Sequence, residues 1–263
     1  MEAAGLSLFP GMGAVEIAAL AAIWATAFGV KGVFGLGAIP ILIVGGTFVL
    51  EAHHIVVLAA VSNLMTQVQL MPDGFRHGRR PLVLGLAVFV LPAVVFGVWI
   101  FGQLSGPNLS TLAGAIILVS MAIDQFRLLD PLHPLVRSRQ RVVGPIVGIL
   151  TGLIAGVIGA ASVAFASLYV RAFVEGRQEF RATMILMVSV LLVWRIGVLA
   201  VNGHVTGAIV AEAALLLPIG LLAGYVGRRA TQGLSDADYF TWYRIALSVG
   251  AVLMIYRGLT AGG

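Results

Sequence analysis

The chain has 263 residues, of which 60% are hydrophobic and 10% are charged, and its formal net charge is +5. A soluble domain carries about 25% charged residues, so this composition cannot cover a water-exposed surface. It indicates a polytopic membrane protein and excludes a nucleic-acid-binding domain, an ordinary cytosolic enzyme and, because cysteine is absent, a secreted disulfide scaffold.

Ten apolar helical segments follow one another along the chain. The first is not a cleavable signal, because no Lys or Arg precedes Lys31 and the apolar stretch continues beyond it. The second and seventh are too short for a crossing of about 20 residues, so each forms either a tight hairpin with its predecessor or a broken, re-entrant helix. The ten segments are residues 15–33, 36–49, 55–71, 82–101, 109–123, 142–158, 160–174, 182–201, 207–226 and 240–256.

Arginine is concentrated in four of the connecting loops, at residues 76–80, 127–141, 171–181 and 228–229. The loops at residues 51–54, 102–108 and 202–206 contain neither Lys nor Arg. Ten alternating segments place all four basic loops on one side and the three neutral loops on the other. Since basic loops face the cytoplasm, the pattern predicts a multi-pass protein of the bacterial inner membrane with both termini on the periplasmic side.

The second half of the sequence repeats the first. Leu91-Pro92 matches Leu217-Pro218, and Gly32, Gly35 and Glu51 recur 124 residues later as Gly156, Gly159 and Glu175. The matches keep their order while the offset drifts from 124 to 130, which predicts one repeat over residues 15–129, a cytoplasmic linker at 130–141 and a second repeat over 142–259.

Each predicted repeat contains five segments, so the second repeat enters the membrane upside down relative to the first. Loop charge supports this independently, because the basic loop at 76–80 corresponds to the neutral loop at 202–206. Inverted repeats with broken helices are typical of secondary transporters, whose substrate site lies near the bilayer midplane. We therefore predict an all-α transporter consisting of a single domain, residues 1–263, with two inverted repeats.

At its glycine turns the chain resembles the sulfite exporter TauE/SafE family of membrane anion transporters. The stretches that carry the resemblance are Gly32-Val-Phe-Gly35-Leu-Gly37-Ala-Ile-Pro40, Gly152-Leu-Ile-Ala-Gly156-Val-Ile-Gly159 and Glu179-Phe-Arg-Ala-Thr183, with Gly203, Pro218, Gly224 and Gly227. The chain departs from the family pattern at Leu36 and Ala38, which interrupt a run of glycines, and at residues 160–163, where a Gly-Pro pair is usual. The resemblance implies export of sulfite or a small organosulfonate, with no cofactor.

The glycine turns are the first candidates for the substrate site. A broken helix exposes backbone N–H groups at a new N-terminus, which attracts anions. This reading assigns substrate binding to Gly32, Gly35, Gly37, Gly156 and Gly159. The alternative is that these glycines allow close helix packing.

Arg195 lies in the middle of the eighth segment, where its guanidinium matches the oxygens of a sulfonate. The alternative for Arg195 is an ion pair with Glu212, which is itself the candidate for proton coupling. We expect the two predicted glycine breaks to face each other near the bilayer centre with Arg195 within reach.

Three further polar residues are assigned to the substrate route. Lys31 adjoins the first glycine turn, and it either binds substrate or extends to the cytoplasmic interface. Asn63 and Gln67 share a helix face at i, i+4 spacing, and they either line the route or join helices.

The remaining candidates have simpler interpretations. Glu16 is expected to be an anchor at the membrane interface, and His53 and His54 are expected to be interfacial rather than metal ligands. No catalytic motif is present, so the chain is not predicted to be an enzyme. The rival function is a cation or metal-ion transporter of the same architecture. Expected partners are the anion and membrane lipid, not nucleic acid, and a symmetric homodimer is left open.

Overall fold

A computed structural model describes residues 2–3, 6–9, 11–34, 38–126, 133–159, 162–230, 248, 251–256 and 258–260. Two short antiparallel strands, β1 (Glu2–Ala3) and β2 (Leu6–Ser7), precede the helices. The helices are α1 (Ala14–Phe34), α2 (Ala38–Gly46), α3 (Ala52–Gln67), α4 (Met71–His77), α5 (Arg80–Gln103), α6 (Gly106–Gln125), α7 (His133–Ser138), α8 (Gln140–Val157), α9 (Ser162–Phe173), α10 (Arg177–Val201) and α11 (Gly207–Ala230). Residues 251–256 and 258–260 are also helical.

The helical architecture confirms the predicted class of protein. Six of the described helices are long and apolar enough to cross a membrane, and the bent pair α3 and α4 would form a seventh span if it crosses as one. The short second and seventh segments are α2, with 9 residues, and α9, with 12 residues. Most of the tenth predicted segment, 240–256, lies outside the described residues.

The third predicted segment, 55–71, is wrong at its end. Helix α3 ends at Gln67, and α4 begins at Met71 after a bend of 64°. The reason is Pro72 in the first turn of α4. Proline has no N–H to donate to the carbonyl four residues earlier, but it is well accommodated at the start of a new helix.

The described helices group into two compact units that do not coincide with the halves of the sequence. Unit 1 comprises residues Met1–Thr66, Ser105–Leu118 and Asn202–Gly263, and unit 2 comprises Gln67–Leu104 and Val119–Val201. Each unit therefore contains helices from both predicted repeats.

In unit 1, α1 packs against α11 through small residues. A Cβ on Gly220 would meet the Phe28 ring at 2.9 Å, and a Cβ on Gly32 would overlap the carbonyl of Gly224. The contacts ascend together along both helices, so α1 and α11 run in the same direction. Glycine at such positions lets two backbones approach closely inside a membrane.

In unit 2, α8 packs against α5 in the same way. A Cβ on Gly148 would lie 2.7 Å from Phe89 Cβ, one on Gly152 would lie 2.6 Å from Ala93 Cβ, and one on Gly156 would lie 2.7 Å from Gly97 Cα. The order again rises along both helices, so α5 and α8 are parallel. Three glycines at intervals of four form a continuous contact face on α8.

Candidate functional site

Arg195, in the second half of α10, carries a guanidinium that is completely buried in unit 2. Its Nε donates a hydrogen bond to the Gly156 carbonyl at 3.4 Å. Its two terminal nitrogens have no hydrogen-bond partner within the described part of the chain. A buried donor without an acceptor is costly, and more so when it is charged, so these two nitrogens point to an anionic ligand.

The turn after α8 is built around this guanidinium. Gly159 has φ of +72°, a left-handed conformation, and its N–H donates to the Ile154 carbonyl at 3.3 Å. A Cβ at Gly159 would overlap Nη1 and Cζ of Arg195. Glycine is therefore needed here for two reasons, the backbone conformation and the space that the guanidinium occupies.

Helix α9 begins directly beyond this turn, at Ser162. Ser162 is buried, and its hydroxyl donates weakly to the Gly159 carbonyl at 3.5 Å. The first N–H groups of a helix have no intrahelical acceptor and carry a partial positive charge. The turn thus brings together a helix N-terminus, a serine hydroxyl and an unpaired guanidinium, a combination suited to an oxyanion. Sequence reasoning missed Ser162, because only its burial beside Gly159 distinguishes it from other serines.

The two glycines that were predicted to bind substrate in the second repeat differ in their surroundings. Gly156 lies within α8, where it supplies the carbonyl that Arg195 contacts and packs against Gly97 of α5. Gly159, by contrast, lies in the turn itself. The packing alternative thus accounts for Gly156, whereas Gly159 adjoins the guanidinium directly.

In the first repeat, Gly32 lies inside α1, in the close contact with Gly224. The geometry supplies a packing reason for this glycine as well. Gly35 and Gly37, which were predicted to bind substrate, lie outside the described residues.

Lys31 is bound by α3 in unit 1. Its ammonium donates to Asn63 Oδ1 at 2.6 Å and to Thr66 Oγ1 at 2.9 Å, and it lies 5.8 Å from the centre of the Phe28 ring. All three partners are uncharged, and no ion pair to Lys31 occurs within the described residues. Lys31 and Asn63 were both predicted to lie along the substrate route, and they are hydrogen-bonded to each other. The contact with Thr66 was not predicted from the sequence.

Gln67 has a different environment from Asn63, although both were predicted on one face of α3. Gln67 Nε2 donates to Ser189 Oγ of α10 at 3.4 Å, and that hydroxyl donates to the Ile185 carbonyl at 2.7 Å. Both side chains are buried in unit 2. The contact joins two helices, which was the alternative interpretation for these amides.

Glu212 is bound by other groups of unit 1. This fully buried carboxylate of α11 lies 2.5 Å from His54 Nε2, and it accepts the backbone N–H of Phe9 at 2.9 Å. The described partners of Glu212 are therefore His54 and Phe9, both in unit 1. Sequence reasoning could not detect the actual partner, because His54 and Glu212 are 158 positions apart.

The other predicted polar groups lie at helix ends. Glu16 accepts the N–H of Gly13 at 2.7 Å at the start of α1, and His53 contacts Glu51 at 3.3 Å. Glu51 also lies beside Gly106, at 3.5 Å from the position of a Cβ there. In the described part of the chain, no three His, Asp or Glu side chains are placed to hold a metal ion.

The basic loops of unit 2 are linked to one another by exposed contacts. Arg79 lies 3.8 Å from Glu179, and Arg137 lies 3.8 Å from Glu175. The backbone N–H of Arg79 also donates to Thr183 Oγ1 at 3.0 Å. These contacts place the loop after α4 beside the start of α10, and α7 beside the loop between α9 and α10.

No curated protein and no solved structure matches the chain significantly. One protein family does match, described as Sulfite exporter TauE/SafE, and the match extends over residues 17–257, nearly the whole chain. Its members are transporters, not enzymes. Together with the apolar helices, this match shows that the chain belongs to the sulfite exporter TauE/SafE family of membrane transporters.

Proposed function

We propose that this protein exports sulfite or a small organosulfonate anion, such as one resembling sulfoacetate, across the bacterial inner membrane. The observation that carries the proposal is the buried guanidinium of Arg195, whose two terminal nitrogens have no partner in the described part of the chain. A sulfur oxyanion presents two oxygens to a guanidinium edge and forms charge-assisted hydrogen bonds to it.

The proposed site consists of Arg195, the turn at Gly159 and the N-terminus of α9 with Ser162. In this site, Nε of Arg195 donates to the Gly156 carbonyl. The edge of the guanidinium that carries the two terminal nitrogens is then left for the anion. Unlike Lys, Arg cannot lose its charge in this setting and offers a planar pair of donors. Within unit 1, Lys31 and Asn63 are proposed to line the substrate route.

The proposed architecture is a pair of inverted repeats. Helices α1 and α8 occupy the same position in the two predicted repeats, as do α11 and α5. Each first helix packs in parallel against the fourth helix of the other repeat, an exchange of partners that a two-fold relation would produce. This exchange supports the inverted repeat. A symmetric homodimer is a separate proposal, which a measurement of the molecular mass in detergent would test.

The proposed orientation places the neutral loops and the N-terminus outside. In unit 1, Phe9 contacts Glu212 near the start of α11, and Glu51 lies beside Gly106 at the start of α6. The first contact places the segment before α1 near the neutral loop at 202–206, and the second places the neutral loops at 51–54 and 102–108 side by side, as the alternation of segments requires. The exposed arginines would then attract anions on the cytoplasmic side.

The test of the site compares Arg195→Gln with Arg76→Gln, which removes an exposed guanidinium. We expect Arg195→Gln to abolish thermal stabilisation by sulfite and by small sulfonates, because it removes the two unpaired donors. The effect should persist in high salt, whereas any effect of Arg76→Gln should disappear as salt screens it.

The same assay distinguishes the rival function. Stabilisation of the wild-type protein by sulfur oxyanions supports an exporter, and stabilisation by divalent cations alone supports a cation transporter. If Arg195→Gln keeps wild-type affinity for every sulfur oxyanion tested, Arg195 has only a structural role.

A further inference from the structure

Glu212 is the one carboxylate that is buried in the described part of the chain, and the substrate site proposed above does not use it. Its two oxygens have separate partners. Oε2 lies 2.5 Å from His54 Nε2 of α3, and Oε1 accepts the N–H of Phe9 at 2.9 Å. One acidic side chain therefore connects α11, α3 and the segment before α1.

The segment before α1 is held at this point. Leu8 and Phe9 are both buried, with 3% and 5% of their surfaces exposed. Phe9 also has φ of +48°, a left-handed conformation that is unfavourable for a residue with a Cβ. The hydrogen bond to Glu212 is donated by this strained residue, so the carboxylate stabilises a conformation that the backbone alone disfavours.

The charge of the pair depends on a single proton. With one proton shared between them, His54 and Glu212 are neutral overall. Without it, a buried carboxylate carries an uncompensated charge, which is unfavourable away from water. Opening the segment at Phe9 would admit water to Glu212 and relieve that cost.

The other charged groups of unit 1 do not replace this proton. Glu16 of α1 is bonded to Gly13, and His53 contacts Glu51. His204 lies in the loop before α11, where burial, and then the charge of His53, lower its pKa from the usual value. Lys31 is bonded to Asn63, nine residues and about 13 Å along α3 from His54.

We propose that His54 and Glu212 form a one-proton site that keeps the segment before α1 closed at Phe9. The proposal goes beyond substrate binding. If the protein is the proposed exporter, this site would make its transport respond to pH. In the open state water stabilises the carboxylate once the proton has left, whereas in the closed state the same loss leaves a buried, uncompensated charge. The closed state therefore holds the proton more firmly than the open state, so rising pH favours opening, by at most about tenfold per pH unit.

The test is amide hydrogen exchange of the full-length protein in nanodiscs, followed by mass spectrometry from about pH 6 to about pH 8.5. The protection factor of residues 6–13, corrected for intrinsic exchange, should fall several-fold across this range. Helix α5 supplies the internal reference, because its protection should not change. No substrate is present, so the result is independent of whether the protein exports sulfite.

Two matched pairs of variants assign the effect. Glu212→Gln should remove the pH dependence, and Glu16→Gln, which alters a carboxylate that also accepts a backbone N–H, should retain it. His54→Gln should remove it, and the neighbouring substitution His53→Gln should retain it. A wild-type protection factor that stays constant with pH overturns the proposal, as does a pH dependence that survives in both Glu212→Gln and His54→Gln. The wild-type profile decides the question even if a variant does not fold.

Discussion

Arg195 and Gly159 show how two residues can depend on each other in one turn. The guanidinium occupies the space that a Cβ on Gly159 would need, and the backbone of Gly159 is left-handed. A substitution at the glycine should therefore affect the anion site as well as the turn.

Gly159→Ala is expected to abolish sulfite-dependent thermal stabilisation and to lower stability by at least the roughly 1–2 kcal/mol of the left-handed backbone. The matched control is Gly203→Ala, because Gly203 has φ of +76° and no atom within 4 Å of its Cβ position. The control should show the backbone cost while keeping the response to sulfite. An equal response to sulfite in both variants would mean that the guanidinium moves without consequence for binding.

The residue types in this site were recognisable from the sequence, but their partners were not. A lone arginine within an apolar segment and a glycine turn both indicate function in a membrane protein. The partners depend on contacts between helices that are distant in the chain: within unit 2, Arg195 donates to the Gly156 carbonyl, and within unit 1, Glu212 contacts His54.

At the scale of helices, packing between α5 and α8 depends on the absence of side chains at regular intervals. Gly152 is buried between Val90 and Ala93 of α5, and its missing Cβ allows the two backbones to approach. Lipid tails are as apolar as leucine side chains, so close contact of this kind is a main source of helix association in membranes.

Gly152→Ala is expected to destabilise the protein by about 1–3 kcal/mol, because the added methyl group would overlap Val90 and Ala93 of α5. Gly85→Ala on α5 is the control, since no atom lies within 4 Å of its Cβ position. It should be neutral or slightly stabilising, as alanine favours helix more than glycine does. Thermal denaturation in detergent measures both, and equal melting temperatures would contradict close packing at Gly152.

The sequence predicted the lengths of the short helices better than the end of α3. The short α2 and α9 follow from apolar runs that are too brief to cross a bilayer, and both were expected. The end of α3 differs from the predicted end because the apolar run continues to Met71, whereas Pro72 starts a new helix there.

At the scale of the whole molecule, the proposed export needs no ATP. A monovalent anion leaving a cell that is negative inside gains about 2.3 kcal/mol per 100 mV, which corresponds to roughly fifty-fold in concentration. The membrane potential alone therefore suffices to drive export, and proton coupling is an addition to it.

In proteoliposomes loaded with sulfite, an inside-negative potassium diffusion potential should accelerate efflux without a pH gradient. Arg195→Gln proteoliposomes, prepared with the same amount of protein, should show only the leak of protein-free vesicles. Efflux that responds neither to the potential nor to a pH gradient would contradict the mechanism. A requirement for ATP would contradict secondary transport altogether.

Composition and local pattern were enough to establish the class of this protein. Apolar runs, loop arginines and ordered glycines are properties of neighbouring residues, and they indicate a polytopic transporter of the TauE/SafE family before any contact is known. The tertiary structure decided which helices pair, with α1 against α11 and α5 against α8, and which polar groups meet. Lys31 contacts Asn63, Glu212 contacts His54, and two nitrogens of Arg195 have no partner among the residues that the structure describes. The reason is physical: apolar segments of similar composition have no local preference for one partner over another, so pairing is decided by the close fit of small residues across helices that are distant in the chain.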